Sequence, residues 1–184
     1  MWFGWPDFHG DQPLTRSDHF TAPGKDSPKF LLAEHPNKPP MPVTKFGVHS
    51  SANGIDFAPT SSNAFGFAGQ AFVAQFGDMA PTVGKVMSPV GFNVVRVDVR
   101  DGAIELFAVN RAKGDRTGPA SMIGGGGLER PVSVRFSPQG DALYILDFGQ
   151  VRMTEKGPQP VQNTGVLWRV TRDGTRTTAM GGAR

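Results

Sequence analysis

The chain of 184 residues contains no cysteine, which excludes disulfides, thiolate nucleophiles and sulfur ligands for zinc or an iron–sulfur cluster. The same absence leaves the redox compartment open, because only cysteines would have pointed to one. Any metal would depend on oxygen or histidine ligands. Long apolar runs are missing too: none approaches the roughly 18 residues of a membrane-spanning helix. The amino-terminal stretch Met1 to Gly10 lacks a basic segment followed by an apolar one, so neither a membrane span nor a signal peptide is expected. Concentrated charge is the third thing lacking. The formal net charge is only +3, and the densest basic stretches, Arg111 to Arg116 and Arg169 to Arg176, are diluted by acids and glycine. A nucleic-acid interface needs a focused positive stripe, so nucleic acid is not an expected partner.

What is present has two textures. Residues 1–52 are rich in proline, glycine, aspartate and lysine and hold no sustained period. Pro36, Pro39, Pro40 and Pro42 fix backbone angles and remove donors, so Ala33 to Pro42 reads as an extended surface loop. Beyond Asn53, short apolar runs alternate with turn residues. Gly54 to Pro59, Gln70 to Phe76, Phe92 to Val99 and Ile104 to Val109 are expected strands. Val95, Val97 and Val99 alternate with Arg96, Asp98 and Arg100, the period of a half-buried strand, and Asp101-Gly102 is a hairpin turn. The stretch Ser62 to Gln75 is interrupted by Gly66 and Gly69 and suits a loop entering a strand, so no helix is needed.

The order then recurs. Pro131 to Ser137, Asp141 to Asp147 and Val166 to Thr171 are the expected strands of a second copy, and Phe148-Gly149 matches Phe76-Gly77 at an offset of about 72 residues. Gly165 to Val170 echoes Gly91 to Val97, and Arg172-Asp-Gly174 echoes Arg100-Asp-Gly102. A repeated sheet with apolar residues on both faces needs neighbours on both faces, which radial stacking of four-stranded blades supplies. The expected fold is therefore all-β, a partial β-propeller with an incomplete ring: a loop-rich segment over 1–52, a first clear blade over 53–110 and a second over 128–176. No convincing fourth strand follows Gly174. Two copies cannot close a ring, which takes at least about four blades. A fragment, a chain that pairs with another chain, and a two-sheet sandwich with unusual loops all remain open. Open edge strands favour self-association or association with a missing propeller half.

Several segments, in order, resemble the soluble pyrroloquinoline-quinone-dependent glucose and sorbosone dehydrogenase family. They are Phe3-Gly-Trp-Pro6, His49-Ser50, Gly54-Ile-Asp-Phe57, Gln70 to Gln75, Phe92 to Val97, Leu128 to Val134, Ser137-Pro-Gln-Gly140 and Trp168-Arg-Val170. Their order is that of the carboxyl-terminal half of such a propeller. The resemblance implies a six-bladed ring that oxidises a sugar or related alcohol, passing hydride to pyrroloquinoline quinone with calcium assisting, in a periplasmic or extracellular setting. It also implies departures. The family's catalytic histidine and most of its calcium site precede the Gly-Trp-Pro segment at which this chain begins. Where relatives carry a histidine and a polar or aromatic cluster, this chain reads Gln75-Phe-Gly-Asp-Met79. The expectation is a fragment or divergent member that is not catalytic alone; the alternative is a non-catalytic propeller module that binds a carbohydrate or protein partner.

No catalytic residue and no metal ligand is singled out. Arg130 is the leading cofactor-binding candidate: the resemblance places it where the family aims an arginine at the quinone's carboxylates, and a guanidinium can make that charged bidentate contact. His49 stands at the start of a strand beside Ser50 and Ser51 and is a candidate pocket-lining residue, although adjacent residues cannot build a Ser–His pair. Gly127 ends a glycine run from Gly124 that has no following lysine–serine pair, so it suits a pocket rim rather than a nucleotide loop. His9 and His19, with Asp7, Asp11 and Asp18, have neither zinc-helix nor EF-hand spacing. Trp2, Trp5 and Phe8 are expected to pack rather than to stack on a ligand.

Overall fold

The computed structural model describes residues 1–15, 24–61, 65–79, 89–112 and 116–172, and the chain divides into two compact units, 1–45 and 46–184. In the first unit, β1 (Phe8–His9) and β2 (Gln12–Pro13) form a minimal hairpin. Two strands of this length bury almost nothing, so the unit is organised around a side chain. Asp7 is 2% exposed, and its carboxylate accepts from the backbone N–H of Leu31 at 2.6 Å, that of Leu32 at 2.9 Å and His35 Nε2 at 2.9 Å. Burial pushes its pKa up, but the bonds from Leu31, His35 and Leu32 together outweigh that and hold it below 3.8. The His35 ring is stacked on Trp2 and meets Phe8 and Phe30 edge-on. Aromatic packing around a hydrogen-bonded carboxylate thus fixes a segment with no periodic pattern. Trp5 stays 82% exposed.

The second unit is built from antiparallel sheets. The first sheet has strand order β3-β4-β5-β6, with β3 (Ala52–Phe57), β4 (Ala71–Gln75), β5 (Asn93–Val97) and β6 (Ile104–Val109). The turn between the last two strands is closed by Asp98 N–H to Ala103 O at 3.0 Å and by Gly102 at φ 77°, as Asp101-Gly102 predicts. The second sheet has β7 (Pro131–Phe136) beside β8 (Ala142–Asp147), and β8 beside β11 (Val166–Thr171). Between β8 and β11 lies a separate hairpin, β9 (Val151–Thr154) and β10 (Gly157–Pro160). A single helical turn, α1 (Ala120–Ile123), joins the two sheets; a reading in which no helix is needed misses it.

The two sheets repeat one plan. β3 and β7 each carry an irregularity in register at their second residue, between Ala52 and Gly54 and between Pro131 and Ser133. Such a bulge adds a residue and sharpens the local twist. The position of a fourth strand in the second sheet, after Gly174, lies outside the described residues.

The faces of the sheets decide how they pack. Phe72, Ala74 and Val94 of the first sheet meet Val134, Leu143 and Ile145 of the second, with Ala58 and Leu128 completing the core and Phe107, Phe136, Trp168 and Val170 against it. Phe72 and Leu143 have no exposed surface, and each such side chain stabilises by about 1.5–3 kcal/mol. Between the sheets the backbones almost touch: a Cβ on Gly54 would lie 2.5 Å from Ser133 Cα and 2.6 Å from Val132 O. The opposite face of the first sheet buries Ala71, Val73, Val95 and Val97 beside Phe46. The fold is therefore mostly antiparallel β, in several separate sheets, and the described strands close no ring.

Candidate functional site

The carboxyl end of β8 builds the most distinctive polar site. Asp147, its last residue, is 2% exposed and accepts three backbone N–H groups, from Glu129 at 2.7 Å, Arg130 at 2.8 Å and Gly149 at 2.9 Å. Phe148 N–H donates to Arg130 O at 2.9 Å. The backbone of Arg130 is thus held on both sides before β7 begins.

Its side chain is unusual. Arg130 is 4% exposed, and its guanidinium carbon lies 4.8 Å from the centre of the Phe76 ring and 4.9 Å from that of Phe92. Nη1 donates to Asp78 O at 3.1 Å, with the carbonyls of Phe76 and Gly77 at 3.4 and 3.5 Å. No carboxylate among the described residues forms an ion pair with it within 4.0 Å. Burial pulls the arginine's pKa down, against the more distant charges of Asp78, Glu129 and Asp147. The geometry depends on local backbone exceptions. Gly77 stands at φ 91°, and a Cβ there would meet the Phe92 ring at 2.6 Å, so only glycine lets that ring reach the arginine. Phe92 itself is a buried non-glycine residue at φ 59°, a conformation that the surroundings must over-determine.

A cavity of about 480 Å³ opens beside this cation, lined by Asp78, Phe92, Glu129 and Arg130 together with Met122 and Met153, among others. The rim is carried by α1. Glu129 holds it with both carboxylate oxygens, which accept from Ser121 N–H and Ser121 Oγ at 2.8 Å each. The site combines apolar walls with one buried cation and two acids, the mixture of apolar surface and a few polar groups usual in small-molecule pockets.

The structure distributes the three residues singled out from sequence among different places. Arg130 lines the cavity just described. His49 is exposed on a turn at φ 66°, closed by Ser50 N–H to Gly47 O at 3.1 Å, and does not line that cavity. Gly127, at φ 149°, lines a second cavity on the side of β6. A Cβ on it would collide with Asn110 Oδ1. Asn110 clasps Leu128 there, donating to Leu128 O at 2.6 Å and accepting its N–H at 3.0 Å. Phe76 and Asp78 fall in the Gln75-to-Met79 stretch that the resemblance sets at the pocket, and Phe76-Gly77 also echoes Phe148-Gly149; Phe92 and Glu129 are not singled out by the sequence, because strand-end residues carry no periodic signal.

Of the acids and histidines after the Gly-Trp-Pro segment, Asp7 is committed to its hydrogen bonds. Asp11 Oδ2 accepts from Gln12, while Oδ1 stands 4.0 Å from Lys45 Nζ. Asp18 and His19 lie outside the described residues. Among the described residues no group of three acids or histidines could hold a metal, and no helix is long and apolar enough to cross a membrane. No protein-family model and no curated protein matches the chain.

Proposed function

We propose that the second unit is a pair of successive β-propeller blades whose strand-end cavity holds a small carboxylate-bearing ligand on Arg130, as a divergent relative of the quinone-dependent sugar dehydrogenases that the sequence resembles. The observation that carries the reading is the Arg130 guanidinium: buried, flanked by two phenylalanine rings, without a paired carboxylate among the described residues, and facing a cavity of about 480 Å³. Desolvation of a charge is expensive unless something repays it. A ligand carboxylate would do so through a charge-assisted contact.

The donor set fits one end of pyrroloquinoline quinone, a planar tricarboxylate: Arg130 would hold a carboxylate, while Phe92, Met122 and Met153 would supply apolar walls. When bound, the quinone would supply the hydride acceptor for oxidation of a sugar or alcohol. Calcium is not placed, since the described residues gather no triad of ligands. This chain's part is binding and orientation. No histidine among the described residues lines the cavity, so no proton-abstracting base is assigned.

Calorimetric titration with pyrroloquinoline quinone, in calcium and in chelator, tests the reading. Binding that weakens at least tenfold in Arg130→Lys, which keeps the charge but loses the planar fork, supports it. Absence of binding by the folded wild-type chain rejects the quinone, and a parallel titration with benzene-1,3,5-tricarboxylate then decides whether an anion site of any kind exists. If both fail, the non-catalytic module that binds a carbohydrate or protein is the reading that stands.

A further inference from the structure

The groups around Arg130 say more about its ligand than the arginine's charge alone. Nη1 is held by the carbonyls of Phe76, Gly77 and Asp78. Nε and Nη2 have no hydrogen-bond partner among the described residues and are not enclosed, and the cavity of about 480 Å³ is where Arg130 meets accessible space. Those two nitrogens form one side of the planar group, the side that takes a carboxylate with both oxygens.

Two acids set a second requirement. Asp78 and Glu129 line the same cavity. Neither forms an ion pair with the guanidinium, yet both are close enough for their charges to support its own. A bare carboxylate seated on Arg130 would therefore be drawn by one charge and repelled by two. Glu129 is the better fixed of the acids. Its backbone N–H is held by Asp147 Oδ2 at 2.7 Å, and Ser121 N–H and Oγ each donate to one of its carboxylate oxygens at 2.8 Å. A carboxylate has about four acceptor positions, so an oriented, half-buried acceptor remains open. Glu129 and Arg130 are consecutive, so one stretch of backbone brings acceptor and cation to the cavity together.

We propose that the ligand of this cavity carries a nitrogen donor on the carbon next to its carboxylate, with the carboxylate on Nε and Nη2 of Arg130 and the N–H donating to Glu129. This rests on the reading that Arg130 takes a ligand carboxylate, and adds what a carboxylate alone leaves opposed. Two kinds of compound share the chemistry: a free α-amino acid, whose nitrogen is a cation, and the pyrrole-carboxylate end of pyrroloquinoline quinone, whose nitrogen is a neutral N–H. Phe92, Met122 and Met153 form apolar walls for either.

The probes are three cyclic carboxylates: pyrrole-2-carboxylate, L-proline, and furan-2-carboxylate, which matches the first in shape without a donor. Binding is followed at the Arg130 Nε–H of the ¹⁵N-labelled chain, assigned by its loss in Arg130→Lys. The better of the two nitrogen ligands is expected to bind at least about 10-fold tighter than furan-2-carboxylate, the scale of a hydrogen bond to a charged acceptor. In Glu129→Gln, which removes the charge and keeps an acceptor for Ser121, that preference should fall to about 3-fold or less. A ranking led by L-proline assigns the site to an amino acid and one led by pyrrole-2-carboxylate to the quinone; either supports the shared chemistry. Furan-2-carboxylate binding as tightly as the better nitrogen ligand overturns the proposal while leaving Arg130 as a carboxylate site. Binding of none of the three overturns both. These rankings are read on wild-type protein, so the test stands even if a variant does not fold.

Discussion

Gly54→Ala is the sharpest test of how the sheets face one another. Glycine inside a strand is ordinarily a weakness, and replacing it with alanine should stabilise by roughly 0.5–1 kcal/mol. The structure reverses that sign. The added Cβ would lie 2.5 Å from Ser133 Cα, 2.6 Å from Val132 O and 3.2 Å from Ser133 N, all of them backbone atoms that no rotamer change can move. Normal carbon contacts sit at about 3.5–4.0 Å, so β3 and β7 would have to part by roughly 1 Å along the seam between the sheets. A gap of that size forfeits a quarter to a half of the local dispersion energy, and overpacking of a core costs about 1–3 kcal/mol. The expected loss is therefore about 2–3 kcal/mol, read as a fall of roughly 1–2 M in the urea midpoint with an unchanged slope. Gly126→Ala is the control: nothing lies within 4 Å of its Cβ position, so it should be neutral, or stabilising by up to about 1 kcal/mol through the unfolded chain. Equal midpoints for Gly54→Ala and the wild type would refute the close approach of the two sheets.

Acid should loosen the first unit through Asp7. Its folded pKa lies below the unfolded 3.8, so its contribution is complete above about 3.8 and is lost as pH falls through the lower folded value. Tryptophan fluorescence between pH 5 and pH 1 should show that transition, and Asp7→Asn should remove it. Asp98 offers a spectroscopic check: Arg100, through its side chain and its N–H, holds that carboxyl at about 2. In Arg100→Ala, carboxyl-carbon NMR should find the Asp98 pKa moved up towards 3.8, and an unmoved value would remove Arg100 as the cause.

The strands were legible because burial in a sheet has a period of two. Ile104–Val109 and Val166–Thr171 fall where the pattern puts them, and the others differ by two residues or fewer at an end. What escaped has no period to show. Among the described residues β9 and β10 pair only with each other, and Pro158 and Pro160, tolerated on a two-stranded ribbon, read as loop. α1 is a single turn, too short for a 3.6-residue pattern. Asp7 and His35 are 28 positions apart, and nothing local announces that a carboxylate will gather a proline-rich segment. At the site, Arg130 was visible through resemblance alone. The rings that flank it come from the ends of strands in the other sheet.

Whether Arg130 serves the fold or a ligand can be argued from the repeat. In the first sheet, Phe76 N–H donates to Ser51 O at 2.9 Å; in the second, Phe148 N–H donates to Arg130 O at 2.9 Å. The glycines that follow stand at φ 91° and φ 92°. Ser51 and Arg130 are therefore counterparts, and the backbone task they share is done by a serine in one copy. A guanidinium is not needed for it. Arg130→Ser removes a desolvated charge together with its contacts to the Phe76 and Phe92 rings, the latter about 0.5–2 kcal/mol, and the two effects oppose each other. If the side chain is there for a ligand, the free energy of unfolding should change by no more than about 1 kcal/mol while ligand binding disappears, the pattern of a residue kept at the expense of stability. If instead the arginine is a strut between the sheets, its loss should cost about 3–5 kcal/mol, the scale for breaking a buried charged network. Urea unfolding of that variant chooses between the two, and a large loss would refute the reading of Arg130 as a binding residue.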